Sequence, residues 1–192
     1  MFSGFFVPLQ NYKDMDYIEL RQYTTKQAMY YGVWLGALLV LKLVAEVMSD
    51  GSVGAFFSGF LMMLVPFVAY WLTLSFRRSI TDTDVTFGTL LRFCIYLFFF
   101  GSMILAIAQF IYYKFINPDY IAQQVSHLTE ALAKYSESQP SINDFLAQIK
   151  EVGVPSASTV AIQTIWINIV VGFILGLPIA GLVKRKNNLT SS

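Results

Sequence analysis

Histidine and cysteine occur once each in the 192 residues, as His127 and Cys94. A tetrahedral zinc centre needs several nitrogen or sulfur ligands, and a disulfide needs two thiols, so neither a Cys/His metal site nor a disulfide framework can be assembled. No cofactor is expected. Charge is scarce as well: 13% of the residues are Asp, Glu, Lys or Arg, about half the share of an ordinary soluble domain. A formal net charge of +1 leaves no basic footprint for nucleic acid. The chain also lacks a GxSxG elbow, an HExxH pair and a phosphate-cradling glycine loop. These absences point away from an enzyme. The opening "MFSGFFVPLQ" has neither a basic start nor a small-residue cleavage site, so the first hydrophobic span is expected to be an uncleaved anchor.

What remains is apolar: 56% of the residues are hydrophobic and 16% aromatic. Four runs, 28–48, 54–75, 91–113 and 160–183, each reach the ~20 residues that carry a helix across a hydrocarbon core. They are too long, and alternate too little, to be barrel strands. The sequence therefore predicts an all-α fold, an integral membrane four-helix bundle with a helical outer loop between the third and fourth spans.

Orientation follows from the cations. Lys13, Arg21, Lys26, Arg77, Arg78, Arg92, Lys184, Arg185 and Lys186 share one side if the spans alternate, whereas Lys114, Lys134 and Lys150 share the other. The positive-inside rule makes the first group cytoplasmic. That places both termini, residues 1–27 and the basic tail 184–192, in the cytoplasm of a multi-pass protein. In the amino-terminal segment, aromatic rings alternate with charges, which suits a short surface helix around 14–23. Asp82 and Asp84 are placed to cap the third span.

The outer loop, 114–159, has its own periodicity. Asn117, Pro118 and Asp119 signal a helix start. Ile121, Val125, Leu128, Leu132 and Tyr135 then recur on one face. After "SQPS", Ser141 and Asp144 resemble a capping box for a second helix whose stripe is Ile142, Phe145, Leu146, Ile149 and Val152. Gly153 and Pro155 end it. Two amphipathic helices outside a membrane must lay their stripes on each other, on the bundle or on lipid.

Within the spans, small residues mark packing faces, because helices in lipid associate through close backbone approach. Gly32 and Gly36 form such a face in the first span, and Gly172 and Gly176, in line with Thr164 and Asn168, form one in the fourth. Bundle packing accounts for these stripes; a homo-oligomer seam is the alternative. Pro66 and Pro178 fall inside the second and fourth spans, where neighbouring helices can re-satisfy the freed carbonyls.

Polar residues inside the spans carry the functional question. Lys42, Glu46, Gln109, Gln163 and Asn168 all fall in the outer half under this orientation, a layer that could floor an outward-facing cavity. Lys42 stands about 9 Å from the outer edge of its span, close enough for its stem to snorkel. It also pairs with Glu46 at i,i+4. Either the two charges form a structural pair at the rim or they belong to a binding site.

The "YYGVWLG" opening of the first span, the "VTFGTLLRF" start of the third and the "YKFINPDY" that follows it resemble a bacterial family of small four-helix membrane proteins, domain of unknown function 4199. The resemblance covers about 25–185. It implies the same architecture and a bacterial inner membrane, and it brings no activity or site residues with it. The leading expectation is a non-enzymatic protein of the lipid bilayer whose outer loop and polar layer bind a protein partner or a lipid. The alternative is an oligomeric small-solute transporter or channel-like subunit centred on Lys42 and Glu46.

Overall fold

The computed structural model describes residues 17–48, 52–80, 85–136, 147–149, 151 and 153–188. They form helix α1 (Tyr17–Val47), α2 (Ser52–Ser79), α3 (Phe87–Ile111) continued by a π-helical turn (Tyr112–Ile116), α4 (Tyr120–Ser136) and α5 (Ala157–Asn188). No strand occurs among the described residues. Four stretches, Ile18–Val47, Phe56–Ser79, Phe87–Ile116 and Ala157–Lys184, are long and apolar enough to cross a membrane.

Helix α1 corrects one expectation. Instead of a separate surface helix around 14–23, residues from Tyr17 run without a break into the span. Nothing in "RQYTTKQAM" carries the glycine or proline that would end a helix. This extension docks on the end of α2. Thr24 is buried with its hydroxyl on the Leu20 carbonyl at 2.7 Å. Tyr23 stacks on Phe76 at 6.3 Å, and its hydroxyl donates to Ser79 Oγ at 3.3 Å. The start of α3 is a second correction. Its cap is Thr86, whose hydroxyl accepts from Thr89 N at 3.3 Å, whereas Asp82 and Asp84 lie outside the described residues.

Helix α3 is the core of the bundle, with Leu90, Phe93, Cys94, Leu97 and Phe98 fully buried. On one side it meets α1. A Cβ on Gly32 would stand 2.7 Å from Phe100 Cβ, and one on Gly36 would stand 3.1 Å from the Gly101 carbonyl oxygen. On its other side it meets α5, where a Cβ on Gly172 would stand 2.6 Å from Phe98 Cβ and one on Gly176 3.0 Å from Cys94 Cβ. Backbone-to-backbone approach of this kind is what small residues permit in lipid. Helix α2 meets α3 through rings and a polar contact: Phe76 stacks on Phe93 at 4.1 Å, and Thr73 Oγ1 lies 3.3 Å from Cys94 Sγ. Helices α2 and α5 both continue through their prolines, Pro66 and Pro178.

The outward faces are greasy. Phe56, Met63, Phe67 and Trp71 on α2, and Trp166, Ile167 and Ile174 on α5, are all largely exposed. Such a continuous apolar belt has lipid as its solvent. The molecule is a multi-pass membrane protein. One end carries Arg77, Arg78, Arg92 and Lys184 and is the arginine end; the other, where α3 leads into α4, is the loop end.

Candidate functional site

The glycine contacts fix how the helices line up. Gly32 opposite Phe100 and Gly36 opposite Ile104 set α1 parallel to α3. Continuing that register brings Lys42 level with Phe110 and Glu46 level with Lys114. Along α5, Gly176 opposite Cys94 and Gly172 opposite Phe98 set an antiparallel register. Its continuation puts Asn168 level with Ser102 and Val160 level with Phe110. Ser102 lies halfway along the span Phe87–Ile116.

This staggers the expected polar layer. Asn168 lies near mid-span, on the loop-end side of the centre of Ala157–Lys184, and its amide is used locally, donating to the Thr164 carbonyl at 2.8 Å. Ser102, beside it in height, donates to the Phe99 carbonyl at 2.8 Å. Gln163 is exposed on the outside of α5. With α3 between α1 and α5, neither of the α5 residues joins the charged pair. Lys42 and Glu46 do meet, Nζ to Oε2 at 2.8 Å, with side chains 27% and 47% exposed. Lys42 thus reaches one turn toward the loop end. Gln109 is different: its Oε1 is closed off from solvent and accepts no hydrogen bond among the described residues.

Above this level a feature appears that periodicity did not signal. The chain leaves α3 through the π-helical turn, in which Asn117 N–H bonds the Tyr112 carbonyl at 2.9 Å. The wider turn extends the span to Ile116 and presents consecutive tyrosines. Tyr113 is buried and stacks on Tyr120 at 5.5 Å, while Tyr112 meets Tyr120 edge-on at 5.7 Å. Lys114, on the outside, holds its ammonium 5.2 Å from the Phe110 ring and 5.7 Å from that of Phe115. A cation lying over rings with its head free suits a membrane boundary.

Helix α4 lies over these rings. Of its apolar stripe, Ile121 is buried and Val125 half-buried, but Leu128 is 50% exposed. The incomplete docking leaves an open cleft of about 350 Å³ lined by Tyr113, Tyr120, Ile121, Gln124, Val125, Leu128 and Val160. The cleft has two ends of different chemistry. Tyr113 and Tyr120 form the polar end, next to Glu46; burial first, then the Glu46 charge and Tyr112, push the Tyr120 phenol above its ordinary pKa of 10.0, against a lowering bond from Gln124. Val125, Leu128 and Val160 form the apolar end. Gln124 stands on the rim between them.

The second loop helix expected from Ser141 onward falls mostly outside the described residues; 147–149 and Glu151 are helical. Gly153 follows with φ +72°, its N–H on the Ile149 carbonyl at 3.1 Å. Ser156 then starts α5 by accepting from Thr159 N at 3.2 Å. Among the described residues, no group of three His, Cys, Asp or Glu side chains is placed to hold a metal ion.

A family model described as protein of unknown function, DUF4199, matches residues 30–185. The chain belongs to that family. The match contains all four spans in large part and every residue of the cleft. No curated protein matches the chain, and no solved structure does.

Proposed function

We propose that this member of the DUF4199 family is a non-enzymatic receptor for a membrane amphiphile, held in the cleft beneath α4. The observation that carries the reading is the two-ended cleft itself. Concave apolar walls with a few convergent polar groups are the usual form of a small-molecule site. Here the walls suit an acyl chain and the polar end suits a head or linkage group. Lipid is the occupant of choice because the cleft opens at the level where the spans end, marked by Lys114 over its aromatic neighbours. The protein sits in a bacterial inner membrane with both termini in the cytoplasm, so the loop end faces outward. The weight of Lys and Arg at the arginine end supports this orientation. A transport path would need polarity continuing from Lys42 toward the arginine end. Ser102 and Asn168, the polar groups at mid-span, are instead occupied by their own helix backbones.

The test fills the cleft. Val160→Trp puts an indole where the chain would lie, on a helix whose other packing faces are left alone. Native mass spectrometry of the purified wild-type protein should show a retained lipid that the helical Val160→Trp protein has lost. Equal retention by both, or none by the wild type, would contradict the proposal.

A further inference from the structure

Several polar side chains described inside the spans have a partner at hand. Thr73 bonds the Ala69 carbonyl at 2.7 Å, Ser75 the Trp71 carbonyl at 2.9 Å, Ser102 and Asn168 their own helices, and Lys42 has Glu46. Among the described residues, the Gln109 carbonyl oxygen is the buried side-chain polar atom that has none. Buried acceptors without donors are rare in folded proteins because the lost hydration is not recovered, and in the low-polarity interior of a membrane protein there is little else to replace it. Turning the amide over does not remove the problem, since the NH2 group would then occupy the same closed position. The location is specific. Gln109 lies one turn below Tyr113, its amide within reach of the Tyr113 hydroxyl, and one residue from the level of Lys42. It is thus the neighbour of Tyr113, which lines the polar end of the cleft, without being a lining residue itself.

We infer that Gln109 is the specificity-determining acceptor of this site, and that the amphiphile it selects carries a hydroxyl or amide N–H donor at the junction of head and chain. The inference rests on the cleft reading proposed above. Binding opens the closed position of Gln109 Oε1 beside Tyr113, so that the donor bonds it while the chain lies along Val125, Leu128 and Val160. An amphiphile whose junction holds only ether or ester oxygens meets an acceptor with an acceptor, and gains nothing from Gln109. Selection of this kind comes from leaving a buried polar group unpaired in the wrong complex.

Two photoactivatable probes separate the cases: a long-chain diazirine alcohol and its methyl ether, titrated on the full-length protein in nanodiscs. The wild type should label in the cleft with about tenfold preference for the alcohol, the size of one well-made hydrogen bond. Gln109→Met, which keeps the volume, should bind the two probes alike and at the affinity of the ether. Its melting temperature should change little, since the amide's contact with the Tyr113 hydroxyl is lost together with the cost of the unpaired acceptor. A preference that survives Gln109→Met, or a wild type with no preference, would overturn the inference. If neither probe labels the cleft, the cleft reading fails first and this inference with it; if both label it equally, the cleft reading stands and only the role of Gln109 falls.

Discussion

At the scale of single residues, the charges near the loop end are paired and placed by their neighbours. Lys42 and Glu46 form an i,i+4 pair at 2.8 Å with both side chains partly exposed, an arrangement that contributes a few tenths of a kcal/mol in helices. Its greater consequence is for Tyr120. Burial comes first and the Glu46 carboxylate next in raising that phenol above 10.0. The sign follows from linkage: with the folded-state pKa above the unfolded one, ionisation is easier in the unfolded chain. The stabilising share of Tyr120 is thus complete below pH 10.0 and is lost as pH rises through the folded value. Alkaline unfolding measured in detergent should start at higher pH in Tyr120→Phe than in the wild type, and Glu46→Gln should shift it the same way by a smaller amount. Identical alkaline profiles for all three proteins would contradict this account of the polar end.

At the scale of the helices, α3 is held between α1 and α5 by glycines on both of its sides. The distances make opposite predictions at two positions. Gly32→Ala would set its methyl 2.7 Å from Phe100 Cβ, which is bonded directly to the α3 backbone and cannot swing away; the expected cost is about 1–3 kcal/mol. Gly59→Ala on α2 meets open space and should stabilise by about 0.4–1 kcal/mol through the unfolded chain. Unfolding of the two variants in a common detergent checks both, and a neutral Gly32→Ala would break the account of the α1–α3 seam. The seam was legible in the sequence because Gly32 and Gly36 stand one turn apart in an otherwise bulky run. So were the four spans, whose lengths are set by the bilayer. The extension of α1 back to Tyr17 was less legible, because aromatic and charged residues at a membrane surface read alike whether a helix stops or continues. The π-helical turn was not legible at all. "YYKFI" has no residue that demands an i+5 bond, and the turn arises where α3 must hand over to α4 above the tyrosines.

At the scale of the whole molecule, the bundle has two unlike ends. The arginine end is closed by aromatic packing, Tyr23 on Phe76 on Phe93, whereas the loop end stays open beneath α4. The sequence supplied the ingredients of the open end, the amphipathic α4 and the residues Lys42, Glu46 and Gln109, but not their assembly. Spacing along one helix cannot say which residues of another stand level with it. If the open end is the outer one, cysteines at Ser158 and Glu130 in a Cys94→Ser background will react with an impermeant thiol reagent in intact cells, and a cysteine at Arg78 will react only after permeabilisation. The reverse pattern would invert the molecule in the membrane.

The most direct measurement of the central claim is photo-crosslinking in native membranes with lipids that carry a diazirine in the acyl chain, followed by mapping of the adducts by peptide mass spectrometry. Bulk lipid will mark the exposed belt on α2 and α5. A receptor will in addition concentrate adducts between Tyr113 and Leu128 and at Val160, and Val160→Trp will remove those while leaving the α2 adducts unchanged. Adducts spread evenly over the exposed belt, with the same distribution in wild type and Val160→Trp, would contradict it.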